Sequence, residues 1–142
     1  MKLNALCSFV IFAVCSGLTA SAAPVKFLIQ NVTHTKGPIY ISLFSTQQSW
    51  ADETPTSIVK ISPVEKGTAI SVVDLAPGDY AFFVFHDLDD NGEVATTFLG
   101  FPAEPYAFSN NFKLKMSKPN FADLKFVVDE IGATHSVKLL EK

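Results

Sequence analysis

The chain has no arginine; all eleven of its basic residues are lysine. Arginine's planar fork is what grips phosphate in two-pronged fashion, so its absence speaks against nucleic-acid or phosphate recognition as the main role. Cysteine is nearly as scarce. The two present, Cys7 and Cys15, both lie close to the N-terminus. A long apolar run is missing as well. The one uncharged stretch, Leu3 to Ala23, has an apolar centre (Leu6, Phe9, Val10, Ile11, Phe12, Val14) shorter than the roughly 20 residues a membrane-spanning helix needs.

That stretch has the order of a secretory signal peptide. Lys2 precedes the apolar centre, and the small residues Thr19-Ala20-Ser21-Ala22-Ala23 follow it with an A-x-A cleavage pattern. The cut is expected after Ala22, because a cut after Ala23 would set Pro24 directly beyond the scissile bond. A buried helix or membrane anchor is disfavoured by length, and a lipoprotein at Cys15 by the bulky Val14 before it. Residues 1–22 are thus expected to be removed, leaving residues 23–142 as a single periplasmic or secreted domain with no membrane span. Both cysteines leave with the signal, so the mature chain has no disulfide and no thiolate, and a packed core must hold it together. Loss of Lys2 moves the formal charge from -3 to -4.

Period-two alternation recurs through the mature chain, and helical periodicity is almost absent. Strands are expected at Val25–Val32, Ile39–Phe44, Ile58–Ile61, Thr68–Asp74, Tyr80–His86, Glu93–Phe98, Phe112–Met116, Leu124–Asp129 and Thr134–Leu140. The first two are expected to pair as a hairpin. The stretch from Ser45 to Pro55 reads as a loop with room for one helical turn, with Trp50 as its only large residue, and a turn follows at Pro63–Gly67. Tyr80–His86 is apolar on both faces, which marks a central strand. Seven to nine short strands with turns between them imply an all-β fold, a single antiparallel β-sandwich. The element Leu75-Ala76-Pro77-Gly78-Asp79-Tyr80 is similar to that of transthyretin-like and carboxypeptidase-regulatory-like sandwiches, with Tyr80 placed to fold its hydroxyl back onto nearby backbone.

Asp87-Leu88-Asp89-Asp90-Asn91-Gly92-Glu93 concentrates four of the fourteen acids in seven residues. A hard cation relieves the mutual repulsion of such carboxylates, and the alternating oxygens of Asp87, Asp89 and Asn91, with Glu93, outline half of a calcium loop. The other half is missing: its final position holds Phe98. Further ligands would come from Glu104 or Asp123, the nearest acids. The competing reading is a solvated loop in which Asp and Asn side chains satisfy their own backbone. No cofactor other than calcium is implied.

Gly100 to Asn111 combines three aromatics, two prolines and two amides. Prolines lower the entropic cost of ordering such a loop. Glu104, Tyr106, Phe108, Asn110 and Asn111, together with His86, could grip a sugar or peptide by stacking and hydrogen bonding. Apolar rings usually go inside, which favours Phe101, Tyr106 and Phe108 capping the open end of the sandwich instead. His86 adjoins Asp87, yet no Ser, Cys or second His lies near it to complete a catalytic set. It is expected to hydrogen-bond the following loop, and His34 and His135 to lie on the surface. Asn31-Val32-Thr33 is a glycosylation sequon of the kind chance often supplies.

His86-Asp87-x-Asp89-x-Asn91-Gly92, the run from Phe98-Leu99-Gly100-Phe101-Pro102 to Phe108-Ser109-Asn110-Asn111, and Pro119-x-Phe121-x-Asp123-x-Lys125-Phe126 together resemble the secreted bacterial family catalogued as domain of unknown function 2141. The resemblance covers nearly all of the mature chain. It implies export and an immunoglobulin-like or transthyretin-like sandwich, and no chemistry. Where that family usually shows Asp and Asn after the glycine, this chain has Ala95 and Thr97, which removes two oxygens from any metal site. The expectation is an exported, non-enzymatic module that binds a ligand or protein partner through the 86–93 and 100–111 loops. The alternatives are a calcium-stabilised carbohydrate- or peptide-binding module and a hydrolase built on His86 with Asp87 or Glu104.

Overall fold

The computed structural model describes residues 21–62 and 64–141, so residues 1–20 of the expected signal segment and Pro63 of the expected turn lie outside the described residues. Two sheets pack face to face. The smaller has the order β4 (Gly67–Leu75), β1 (Ala23–Val32), β8 (Ala133–Lys138); the larger runs β3 (Ser57–Ile61), β2 (Ile39–Phe44), β5 (Gly78–His86), β6 (Tyr106–Phe108), with β7 (Phe126–Val128) also paired to β5. The all-β sandwich is as expected, with eight strands among the described residues. All pairings are antiparallel except β1 with β8, which is parallel.

Alternation builds the interior. Val25, Phe27 and Ile29 of β1 are fully buried, while Lys26 and the partly exposed Leu28 between them and Gln30 beyond them point to the other face. Ile39, Ile41, Phe82 and Val84 meet them from the larger sheet, and Phe27 and Phe82 pack edge to face with centroids 5.1 Å apart. The other face of β5 is covered too. Phe83 packs against a second cluster containing Phe44, Trp50, Phe108, Phe121 and Leu124, closed by the short helices α1 (Gln47–Ala51) and α2 (Phe121–Leu124). Thr46 caps α1, accepting the Ser49 N–H at 3.0 Å, and Trp50 Nε1 donates to the Pro119 carbonyl at 2.7 Å. Burial on both sides makes β5 the central strand that its composition implies. Tyr80 donates its hydroxyl to the Ala76 carbonyl at 3.0 Å, which fixes the expected corner.

Three expectations are corrected. β1 and β2 do not form a hairpin: they belong to different sheets, because alternation marks a buried face without choosing the neighbour. The stretch Glu93–Phe98 forms no regular strand. It folds on itself through a Thr96–Pro102 bridge and a tight turn in which Thr97 N–H donates to the Phe101 carbonyl at 2.7 Å. Phe112–Met116 is likewise irregular, while β6 forms inside the supposed 100–111 loop. The prolines there concealed it, yet Pro105 needs no N–H: its carbonyl accepts the His86 N–H at 2.8 Å.

Candidate functional site

The acidic loop leaves the end of β5 and closes on itself. Asp87 is fully buried; its Oδ1 accepts the Asn91 N–H at 3.2 Å and its Oδ2 the Gly92 N–H at 2.8 Å. Asp89 accepts from Asn91 twice, backbone at 3.3 Å and side chain at 2.9 Å, and Asn91 Oδ1 accepts the Glu93 N–H at 2.7 Å. Burial by itself would push the Asp87 pKa up. The N–H groups of Gly92 and Asn91, aided by Asp89 and the Asp90 backbone, outweigh it and hold the carboxyl below its ordinary value. Asp87 is therefore a buried carboxylate stabilised by local dipoles.

Glu104 reaches into the same loop from the far side. Its Oε1 accepts the Leu88 N–H at 2.9 Å and its Oε2 the Ala95 N–H at 3.2 Å, so one carboxylate clamps both ends of the 88–95 segment. Asp87, Asp89 and Glu104 each bring an oxygen to within 4.8 Å of the others. The exposed Glu93 is not among the three, and Asp123 instead accepts the Asn120 N–H at the start of α2. Each carboxylate oxygen keeps a lone pair beyond the one its amide takes. Three carboxylates fall short of the six to eight oxygens calcium takes, so any bound ion would need backbone or solvent ligands as well.

The remaining predicted site residues separate. Asn110 and Asn111 adopt left-handed backbone, with φ of 60° and 51°. Asn110 Nδ2 donates to the Leu124 and Lys125 carbonyls, whereas Asn111 donates to the Ser136 carbonyl and accepts the Lys138 N–H at 2.9 Å. They tie β8 and α2 to the sheet. Ser109 accepts the Phe82 N–H, and Phe82 lies five residues from Asp87, roughly 16 Å along β5. Tyr106 is half-buried and Phe108 buried, as capping rings.

His86 is fully buried and neither ring nitrogen makes a well-formed hydrogen bond, although the backbone of Gly37 and Lys36 lies close enough to act on the ring; the expected bond to the following loop is not made. Alternation sends it to the inter-sheet side with Phe82 and Val84, while Asp87 turns into its own loop. Burial pulls its pKa down, the backbone of Gly37 and Lys36 and the nearby Glu104 partly offsetting this and His34 adding to it. His34 is exposed, as expected. His135 is half-buried, where a surface residue was expected: its ring lies against Phe126, centroids 3.9 Å apart, with Phe27 and Phe82 beside it, and burial lowers its pKa. Asn31 of the sequon sits at a bulge with φ of 62° and donates its amide to the Leu139 carbonyl at 2.8 Å, so it is engaged within the fold.

Beside the acidic loop, the outer face of the larger sheet carries a cleft of about 570 Å³. Its floor is Phe83, Phe108 and the edge of the buried Trp50. One wall is Val94 with Leu99–Pro102, and the other is Leu114–Pro119. Leu99 and Met116 on the two walls are 74% and 99% exposed. Lys118 lies over the Trp50 ring at 4.9 Å and bonds both the Trp50 carbonyl and Glu53. Glu104 braces the first wall through Ala95, which connects the acidic loop to the cleft.

The family described as an uncharacterized protein conserved in bacteria, domain of unknown function 2141, matches residues 28–136, from within β1 to within β8. The chain belongs to that family. No curated protein and no solved structure matches it. The departure of this member of domain of unknown function 2141 at Ala95 and Thr97 now has a local meaning. Ala95 contributes only backbone, donating to Glu104 and accepting the Ala103 N–H, while the Thr97 hydroxyl accepts the Phe101 N–H at 3.2 Å and pins the turn. Sequence reasoning missed the cleft because its floor and walls come from segments far apart in the chain. The one local signal was a lone Trp50 in an otherwise polar stretch.

Proposed function

We propose that residues 23–142 are an exported, non-enzymatic binding module of the periplasm, with the cleft on the outer face of the larger sheet as its ligand site. The observation that carries this reading is an apolar cleft with strongly exposed Leu99 and Met116 at its rim. Leaving such side chains in water forgoes about 1.5–3 kcal/mol each relative to full burial, which a bound apolar group recovers in part. The volume falls in the range of small-ligand sites. Sugar stacking is less well served, since the Trp50 face is taken by Lys118. Hydrolysis is disfavoured because His86 is fully buried and presents no face to a substrate. Nile red, a neutral dye, should bind the mature protein with a blue shift, and Leu99→Asp/Met116→Asp should lose it; equal binding by both proteins would move the site elsewhere. Export predicts that protein recovered from the periplasm begins at Ala23, which intact mass spectrometry reads.

The convergence of Asp87, Asp89 and Glu104 favours a second reading, in which calcium braces the wall that Glu104 holds. Calorimetric titration with calcium should then release heat that Asp89→Ala, altered at an exposed residue, lacks. No heat from the unmodified protein at millimolar calcium ends that reading.

A further inference from the structure

Resting on the cleft as the binding site, we infer that its ligand is a single-chain anionic amphiphile, a long-chain carboxylate whose tail lies along the apolar floor and whose head group meets Lys115. Three ionisable side chains line the cleft: Glu53, Lys115 and Lys118. Lys118 and Glu53 neutralise each other through an ion pair of 2.8 Å. Lys115 is exposed and has no ion-pair partner among the described residues. The cleft thus carries one uncompensated positive charge on a chain whose formal net charge is -3.

The surroundings of that charge are apolar. Leu114 and Met116 flank Lys115 on the same wall, and Leu99 and Phe101 face it from the other. An exposed cation between hydrophobic walls matches a molecule with a negative end and a hydrocarbon body. A cationic amphiphile would meet Lys115 unfavourably, and a hydrocarbon alone would leave it unused.

The test uses the mature protein and three probes of equal chain length: laurate, dodecanol and dodecyltrimethylammonium, all below their micelle-forming concentrations. Fluorescence of Trp50, the chain's single tryptophan, reports occupancy at the cleft, and calorimetry reads the same titrations independently. Laurate should bind saturably and about tenfold more tightly than the ammonium probe, with the difference shrinking as salt rises. Lys115→Glu should weaken laurate about tenfold and leave dodecanol unchanged, whereas Leu99→Asp/Met116→Asp should lose both. Equal binding of all three probes overturns the anionic preference while the apolar cleft stands. Nile red binding without any laurate binding overturns the inference alone; loss of both overturns the cleft reading with it. A dimer that the double aspartate variant dissociates would show the cleft covered by a second copy, and that too overturns the inference.

Discussion

A Cβ on Gly37 would lie 1.7 Å from the Asp87 carbonyl oxygen, and the residue has φ of +76°. The 33–38 connection therefore passes against the backbone where β5 turns into the acidic loop, and Pro38 accepts the Asp87 N–H at 2.9 Å in the same place. Gly92, with φ of +79°, has open space around its Cβ position. The two positions separate steric exclusion from backbone strain. Gly92→Ala should cost about 1 kcal/mol, the expense of left-handed backbone alone. Gly37→Ala should cost on the order of 3 kcal/mol or more, because backbone atoms must also move. Urea midpoints of the two variants check this; equal losses would mean that the 33–38 connection is free to shift.

Among the elements, the 88–95 loop and the wall beyond it depend on Glu104. Its carboxylate accepts from Leu88 and Ala95, and neither donor has another partner within the loop's own hydrogen bonds. Glu104→Gln keeps one oxygen and turns an amide N–H toward a second N–H, so about 1–3 kcal/mol should be lost. Hydrogen exchange should quicken at Leu88 and Ala95 while amides of β1 keep their protection; uniform acceleration would mean a global effect instead. Local chemistry of this kind was partly legible in the sequence. Glu104 stood out as an acid near the loop, the two apolar faces of Phe82–Phe85 marked β5 as central, and Tyr80 announced its corner. Partner choice was not legible, since alternation in β1 serves equally for a hairpin with β2 and for its actual place between β4 and β8. Asn110 and Asn111 looked like ligand amides, yet left-handed backbone turned them to the carbonyls of Leu124, Lys125 and Ser136. β6 hid behind Pro102 and Pro105, because a proline carbonyl can serve a strand that its missing N–H cannot.

For the molecule as a whole, two imidazoles set the response to acid. His86 is fully buried without a well-formed hydrogen bond, and His135 has its Nε2 buried among three phenylalanines. Burial lowers both pKa values, so the folded protein keeps these rings neutral at a pH where the unfolded chain already protonates them. The unfolded state then binds more protons, and stability rises with pH through that interval. The loss on acidification accordingly begins near the ordinary histidine value of about 6.5 and grows as pH falls toward the depressed folded values. For His86 the slope approaches about 1.4 kcal/mol per pH unit once the unfolded ring is fully charged and the folded one is not. Asp87 acts lower on the scale: its depressed pKa contributes stability above the ordinary carboxyl value that is lost only when pH falls through the folded value. Urea midpoints should therefore decline between pH 7 and pH 5, before the carboxyls titrate. His135→Phe should lessen that decline, since a phenyl ring suits the contacts with Phe27, Phe82 and Phe126 and carries no proton. A midpoint unchanged from pH 7 to pH 5 in the unmodified protein would mean that both rings find proton acceptors on charging, and that burial does not govern them.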